Sequence, residues 1–136
     1  MAISPSSARV LTELDHVRLS KLFNRPGMAF AAELEAVLDN AELISSYDVP
    51  PGLITMNSRV LMADQPHAEE RILTLCYPPD ADLQAGCISV LSPVGTALLG
   101  LAEGQLTHWT APTGVQICAK ILKVVFQPEE SGDYLR

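Results

Sequence analysis

The chain is poor in aromatic, histidine and cysteine residues. Phe, Tyr and Trp make up only 5% of its 136 residues, so aliphatic side chains must fill the core, and the 48% apolar content is enough to build one. The three cysteines are odd in number and widely spaced in apolar runs, which favours buried, reduced thiols over disulfides. The three histidines have no ligand-spaced partners, so we expect no metal site and no cofactor.

The motifs of several enzyme classes are also absent. The sequence has neither a phosphate-binding Walker loop nor a glycine-rich dinucleotide loop. Ser89 and Ser92 lie outside any Gly-x-Ser-x-Gly nucleophile elbow. We therefore predict no catalytic residues and expect a binding protein rather than an enzyme.

Positive charge is scarce as well. Nine basic residues stand against 16 acidic ones, which gives a net charge of −7. An acidic surface repels phosphate, so direct binding to nucleic acid is not expected, whereas a basic patch on a protein partner would be attracted. The first residues lack the basic and long apolar stretches of a signal peptide or a membrane span, so we expect no membrane association and a cytoplasmic location.

The first third of the sequence predicts two helices. Thr12 and Asp15 have capping-box spacing and would start a helix near Glu13. The helix would be broken at a tip formed by Asn24, Arg25, Pro26 and Gly27. The second helix has apolar residues at helical spacing, namely Phe30, Leu34, Val37, Leu38, Ala41 and Ile44. Residues 1–48 are thus predicted to form a short antiparallel helical hairpin, or coiled coil.

The remaining residues, 49–136, predict a sheet. Two prolines and a glycine at 50–52 mark a linker, after which the apolar period approaches two. Five strands are predicted, at Leu53–Met62, Ala68–Tyr77, Cys87–Leu91, Gln105–Thr110 and Val115–Phe126. The last is apolar on both faces, as expected of a covered central strand. The predicted fold class is α+β, with an antiparallel sheet and one short helix.

That short helix follows the third strand. Ser92 can cap its first turn, and Pro93 suits the first helical position because no N–H donor is needed there. Gly100 supplies the left-handed residue that ends many helices. Asp80 and Asp82 lie on the loop before the third strand, where carboxylates usually serve solubility alone.

Two sets of residues resemble known families. The run from Ser92 to Gly100, with Glu103-Gly104, Trp109 and Pro112-Thr-Gly114, resembles the C-terminal domain of the GreA/GreB transcript-cleavage and elongation factors. Ile54-Thr-Met-Asn-Ser-Arg-Val60 and Phe126-Gln-Pro-Glu-Glu-Ser-Gly-Asp-Tyr134 are more specific. They are similar to the Rnk family, the regulators of nucleoside diphosphate kinase, over about residues 12–136.

The resemblance implies an FKBP-like sheet beside a helical hairpin and a partner, bacterial RNA polymerase. Gre-like proteins dock their C-terminal domain on the rim helices of the polymerase secondary channel, while the hairpin points into the channel. By position, the docking residues implied here are Ser92, Pro93, Val94 and Gly95, with Asp80 and Asp82 alongside.

The hairpin tip departs from the Gre pattern. Gre factors carry acidic residues there that help to hold a magnesium ion for RNA cleavage, whereas the tip from Asn24 to Gly27 has a cation and no carboxylate. We therefore expect no stimulation of transcript cleavage. An FKBP-like peptidyl-prolyl isomerase, or another peptide-binding module, is the alternative. It is weakened because the C-terminal part has few aromatics to line an isomerase pocket, and because a fold does not carry an activity.

Overall fold

A computed structural model describes residues 9–23, 32–65, 69–111 and 113–128. Three helices are present in these ranges, α1 (Glu13–Phe23), α2 (Ala32–Asn40) and α3 (Pro93–Leu98). A two-stranded sheet pairs β1 (Val10–Thr12) with β2 (Glu42–Ile44). The main sheet has the order β5-β4-β3-β7-β6 and consists of β3 (Arg59–Gln65), β4 (Glu69–Cys76), β5 (Cys87–Ser89), β6 (Leu106–Thr110) and β7 (Gln116–Phe126). The predicted α+β class is confirmed.

The main sheet is mixed rather than purely antiparallel, so that part of the prediction is wrong. β3 pairs antiparallel with β4 and β7, and β6 pairs antiparallel with β7. β5 instead lies parallel to β4, with Thr74 opposite Cys87 and Cys76 opposite Ser89. Residues 77–86 carry the chain back from the end of β4 to the level of Thr74. β5 therefore starts beside Thr74 and runs in the same direction as β4.

Two strand predictions also need correction. Leu53–Ser58 forms no regular strand, because Asn57 has a positive φ of 68° and donates its N–H to the Leu75 carbonyl, 2.6 Å away. β7 is paired on both sides but covered on one face only, since Leu122 and Val125 are 37% and 42% exposed. The prediction that both faces of this strand are covered is therefore wrong, because the apolar residues of one face are exposed to solvent.

The second helix is shorter than predicted. Its periodicity extends to Ile44, but α2 ends at Asn40 and residues 42–44 form β2, which pairs in parallel with β1. The Glu42 N–H donates to the Arg9 carbonyl at 3.0 Å. Strand pairing with a distant segment therefore overrides the local helical pattern.

The start of α1 lies beside the end of α2, because His16 Nε2 donates to the Leu38 carbonyl at 3.0 Å. The predicted tip, Asn24 to Gly27, lies outside the described residues, and the hairpin remains a prediction. Buried leucines of the two helices belong to the same hydrophobic cluster as buried side chains of α3 and the main sheet. The division at residues 48 and 49 also remains a prediction.

The predicted cap of α1 is present, and it leads to a contact with the rest of the chain. Thr12 Oγ1 accepts the Asp15 N–H at 2.9 Å, as a capping residue should. The Asp15 carboxylate is 1% exposed and accepts the Met56 N–H at 3.0 Å, 41 residues away. Asp15 thereby ties the first turn of α1 to the turn that precedes β3.

Helix α3 packs against β4, β5, β6 and α2. Gly95 allows its close approach to the end of β5, because a Cβ at this position would lie 2.1 Å from the Ser89 carbonyl oxygen. Gly100 ends the helix with a φ of 82°, as predicted. Within the described ranges, no helix has the length and apolar character needed to cross a bilayer.

Replacing Asp15 by Ala should destabilise the fold, because the buried Met56 N–H would lose the carboxylate that accepts it. We expect the free energy of unfolding to fall by about 1–3 kcal/mol. Asp39→Ala, an exposed aspartate on α2, is the control and should stay within about 0.5 kcal/mol of wild type. Urea unfolding checks both, and equal effects would contradict the role given to Asp15.

Gly95→Ala should also destabilise the fold, because the added methyl group must displace the backbone of β5. The expected loss is about 1–3 kcal/mol. Gly52→Ala is the control, since its Cβ would meet the Glu103 side chain, at 3.3 Å, and no backbone atom is among its nearest contacts. Chemical unfolding should give the larger loss for Gly95→Ala, and a larger loss for Gly52→Ala would refute the close-approach argument.

Candidate functional site

The start of α3 is organised by Ser92. Its hydroxyl accepts the Gly95 N–H at 3.1 Å and donates to the Ser89 carbonyl at 2.7 Å. Pro93 occupies the first helical turn, as predicted. The Ser92 side chain therefore joins the end of β5 to the start of α3 and fixes where the helix begins.

The four consecutive docking residues differ in accessibility. Pro93 is exposed, whereas Ser92 and Val94 are partly buried and Gly95 is buried. Val94 packs against the hydrophobic core. Pro93 is thus the member of this group with an exposed side chain, and the burial of Gly95 follows from its contact with β5.

Asp80 and Asp82 are both exposed and lie along the edge strand β5. Asp80 ends a 3₁₀ turn, Pro78–Asp80, and its N–H donates to the Tyr77 carbonyl. Asp82 exchanges two backbone hydrogen bonds of 2.9 Å with Cys87 at the start of β5. Since Ser92 closes the other end of this strand, β5 connects the two predicted groups of docking residues.

A cavity of about 430 Å³ lies next to Pro93. Trp109, only 7% exposed, contributes an aromatic surface, and the exposed His108 and Thr110 of β6 lie along its wall. Arg9 lines it as well. The cavity offers a recess of mixed polar and apolar lining beside the exposed proline.

Arg9 holds the other end of α3, which the sequence analysis did not anticipate. Its Nη1 donates to the Thr96 and Leu99 carbonyls, each at 2.8 Å. A cation at a helix C-terminus is favoured by the helix dipole. Burial lowers the pKa of Arg9 below its ordinary value, yet a guanidinium stays charged in proteins. No local signal marks this contact, because about 90 residues separate the partners.

A second cavity, of about 670 Å³, was also not predicted. Arg18, Lys21 and Leu22 of α1 line it, together with Tyr77, Pro79 and Asp80 of the connection to β5.

Cys76 and Cys87 also line this second cavity. Burial raises the pKa of the Cys76 thiol, and the neighbouring Cys87 and the Asp80 carboxylate raise it further. Cys76 is therefore a poor nucleophile, since reactivity requires the thiolate.

The two sequence strings that carry the family resemblance have structural partners. Ile54–Val60 contains the turn whose Met56 N–H binds Asp15, and Thr55 and Ser58 are joined within it by their hydroxyls. Gln127 is buried and donates its Nε2 to the Leu53 and Pro50 carbonyls, at 2.7 and 2.8 Å. The first string therefore ties the turn before β3 to α1, and the second ties residues 50–53 to the end of β7. Residues 129–134 of the second string lie outside the described ranges.

Among the described residues, no group of three or more His, Cys, Asp or Glu side chains is placed to hold a metal ion. The arrangement around β5 combines an exposed proline, two exposed carboxylates and two cavities. Such a surface can bind a partner or a small molecule.

Comparison with known proteins identifies relatives over both parts of the chain. The family model for the C-terminal domain of transcription elongation factor GreA/GreB matches residues 49–126. The regulator of nucleoside diphosphate kinase from Escherichia coli (strain K12) is 39% identical over 129 residues, covering 93% of this chain and 95% of that protein. GreA of Flavobacterium johnsoniae is 37% identical over 83 residues, covering 61% of this chain and 52% of GreA.

A solved structure agrees with these sequence relatives. The prokaryotic transcription elongation factor GreA/GreB from Nitrosomonas europaea superimposes with a TM-score of 0.73 at 39% identity, covering 88% of this chain and 98% of that one. Because the E. coli regulator matches along nearly its whole length and the GreA/GreB domain model spans the sheet, this chain belongs to the Rnk family of GreA/GreB-related regulators.

Proposed function

We propose that this chain is a non-catalytic regulator that binds bacterial RNA polymerase at the rim of the secondary channel. It would compete there with Gre-type factors without stimulating transcript cleavage, and influence nucleoside diphosphate kinase indirectly. In this proposal residues 49–136 form an FKBP-like docking domain, and residues 1–48 carry the helical hairpin toward the channel. The docking residues are Ser92, Pro93, Val94 and Gly95, with Asp80 and Asp82.

The observation that best supports this proposal is the pairing of an exposed Pro93 with two exposed carboxylates along β5. All three lie in the range that matches the GreA/GreB C-terminal domain. A net charge of −7 favours a basic partner surface over nucleic acid. Val94 and Gly95 contribute by fixing the helix that presents Pro93, since their own side of α3 packs inward.

The cavity beside Pro93 supports the second candidate, an FKBP-like isomerase or another peptide-binding module. Its volume of about 430 Å³ and its Trp109 surface suit an apolar side chain of a peptide. A prolyl-peptide isomerisation assay separates the candidates, because catalysis well above background would favour the isomerase. Peptide binding without catalysis would fit docking on a polymerase segment.

Reversing the charge of Asp80 should weaken binding to the polymerase. We expect Asp80→Lys to bind purified RNA polymerase at least about tenfold more weakly, because it would repel a basic rim surface. Asp48→Lys is a matched control, since Asp48 is also an exposed residue that ends a 3₁₀ turn, Ser46–Asp48. Binding is measured by surface plasmon resonance at two salt concentrations.

Equal binding by the two charge-reversed variants would remove Asp80 from the docking surface. If the wild-type chain itself does not bind the polymerase, the proposed function is wrong. Substitution of Val94 is unsuitable for this purpose, because the side chain packs against the core and its loss would confuse folding with binding.

The chain should leave backtracked transcripts intact. Its predicted tip, Asn24 to Gly27, has no carboxylate to hold magnesium, which prefers oxygen ligands. In a cleavage assay with arrested polymerase, a Gre factor provides the positive control, and an excess of this chain should reduce that cleavage by competition. Shortened RNA in reactions with this chain alone would contradict the prediction.

A further inference from the structure

The larger cavity has a distinct charge distribution. Arg18 and Lys21 of α1 line the cavity and lie three residues apart, a spacing that puts them on one face of the helix. Asp80, within the connection from β4 to β5, also lines the cavity. The whole chain has only nine basic residues against 16 acidic ones, so a cavity lined by two cations and one carboxylate has a local excess of positive charge on an acidic protein.

The rest of the lining is suited to a flat or apolar group. Leu22, Tyr77 and Pro79 supply apolar and aromatic surface, and Asn57 and Thr74 add neutral hydrogen-bonding groups. The volume of about 670 Å³ lies within the ordinary range of small-molecule sites. It is larger than a simple inorganic anion requires.

We propose that this cavity binds a small anionic molecule of about nucleotide size. Its phosphate or carboxylate groups lie against Arg18 and Lys21, its flat or apolar part lies along Tyr77 and Pro79, and a hydrogen-bond donor of the ligand meets Asp80. Ligand binding to this cavity does not require the polymerase, so it is tested on the isolated chain.

The first experiment measures ligand binding to the full chain by calorimetry and thermal shift. The probes are ADP, GDP, citrate and inorganic phosphate, with uncharged adenosine as the comparison. We expect at least one of the larger anions to bind and to raise the melting temperature, and adenosine to bind at least about tenfold more weakly because it lacks the charge-assisted bonds. Binding by ADP or GDP alone identifies a phosphate ligand, and binding by citrate alone a carboxylate ligand.

The variant Arg18→Gln/Lys21→Gln should reduce the affinity of the bound anion at least about tenfold. The matched control is Lys120→Gln/Lys123→Gln, which removes the same charge from exposed positions on β7 and should leave binding unchanged. If the first double variant does not fold, Lys21→Gln alone, at an exposed position, replaces it. No binding by any anion, or equal loss in both double variants, overturns the proposal.

The alkylation rates of the native cysteines show where the ligand binds without any further mutation. Cys87 lines this cavity, whereas Cys118 on β7 lines neither of the two described cavities. A saturating anion should slow alkylation of Cys87 by iodoacetamide at least about threefold and leave Cys118 unchanged, as followed by peptide mass spectrometry. Equal rates at Cys87 with and without bound anion would place the ligand elsewhere and overturn this assignment.

Discussion

A helix of six residues is too short to be stable by itself, so α3 depends on the groups that hold its two ends and one face. Ser92 caps the first turn, and Arg9, about 90 residues earlier in the sequence, donates hydrogen bonds to carbonyls at the end of the helix. At Gly95 the helix backbone meets β5 without an intervening side chain. The Gly100 carbonyl then accepts the Val10 N–H at 3.0 Å. Through α3, the first segment of the chain and the main sheet therefore stabilise each other.

Local signals in the sequence were sufficient where the structure depends on neighbouring residues. The cap at Ser92, the end at Gly100 and the cap of α1 at Thr12 were all predicted and are present. Local signals failed where a partner distant in the sequence determines the secondary structure. Residues 42–44 continue a helical pattern but form β2 because β1 is available to pair with them. The parallel direction of β5 likewise depends on the path of residues 77–86 and not on the residues of the strand.

In the candidate site too, features set by neighbouring residues could be predicted and features set by distant residues could not. Ser92 and Pro93 stand in a recognisable local pattern for the start of a helix, whereas Asp80 and Asp82 were named as docking residues because of the family resemblance. Accessibility could not be predicted, since the inward packing of Val94 and the contact at Gly95 depend on where the sheet lies. The larger cavity was beyond sequence reasoning for the same reason. Its walls come from α1 and from the connection before β5, which lie about 60 residues apart and meet only in the folded chain.

Asp80 belongs to both proposed surfaces, and this links them physically. Its carboxylate is exposed at the edge of β5, where a basic partner would reach it, and it also lines the cavity that contains Arg18 and Lys21. A ligand that occupies Asp80 with a hydrogen-bond donor would remove that carboxylate from the docking surface, so ligand and protein partner would weaken each other. Linkage requires the effect to be reciprocal. If both proposals hold, a small anion bound in the larger cavity would weaken the binding of this chain to its protein partner.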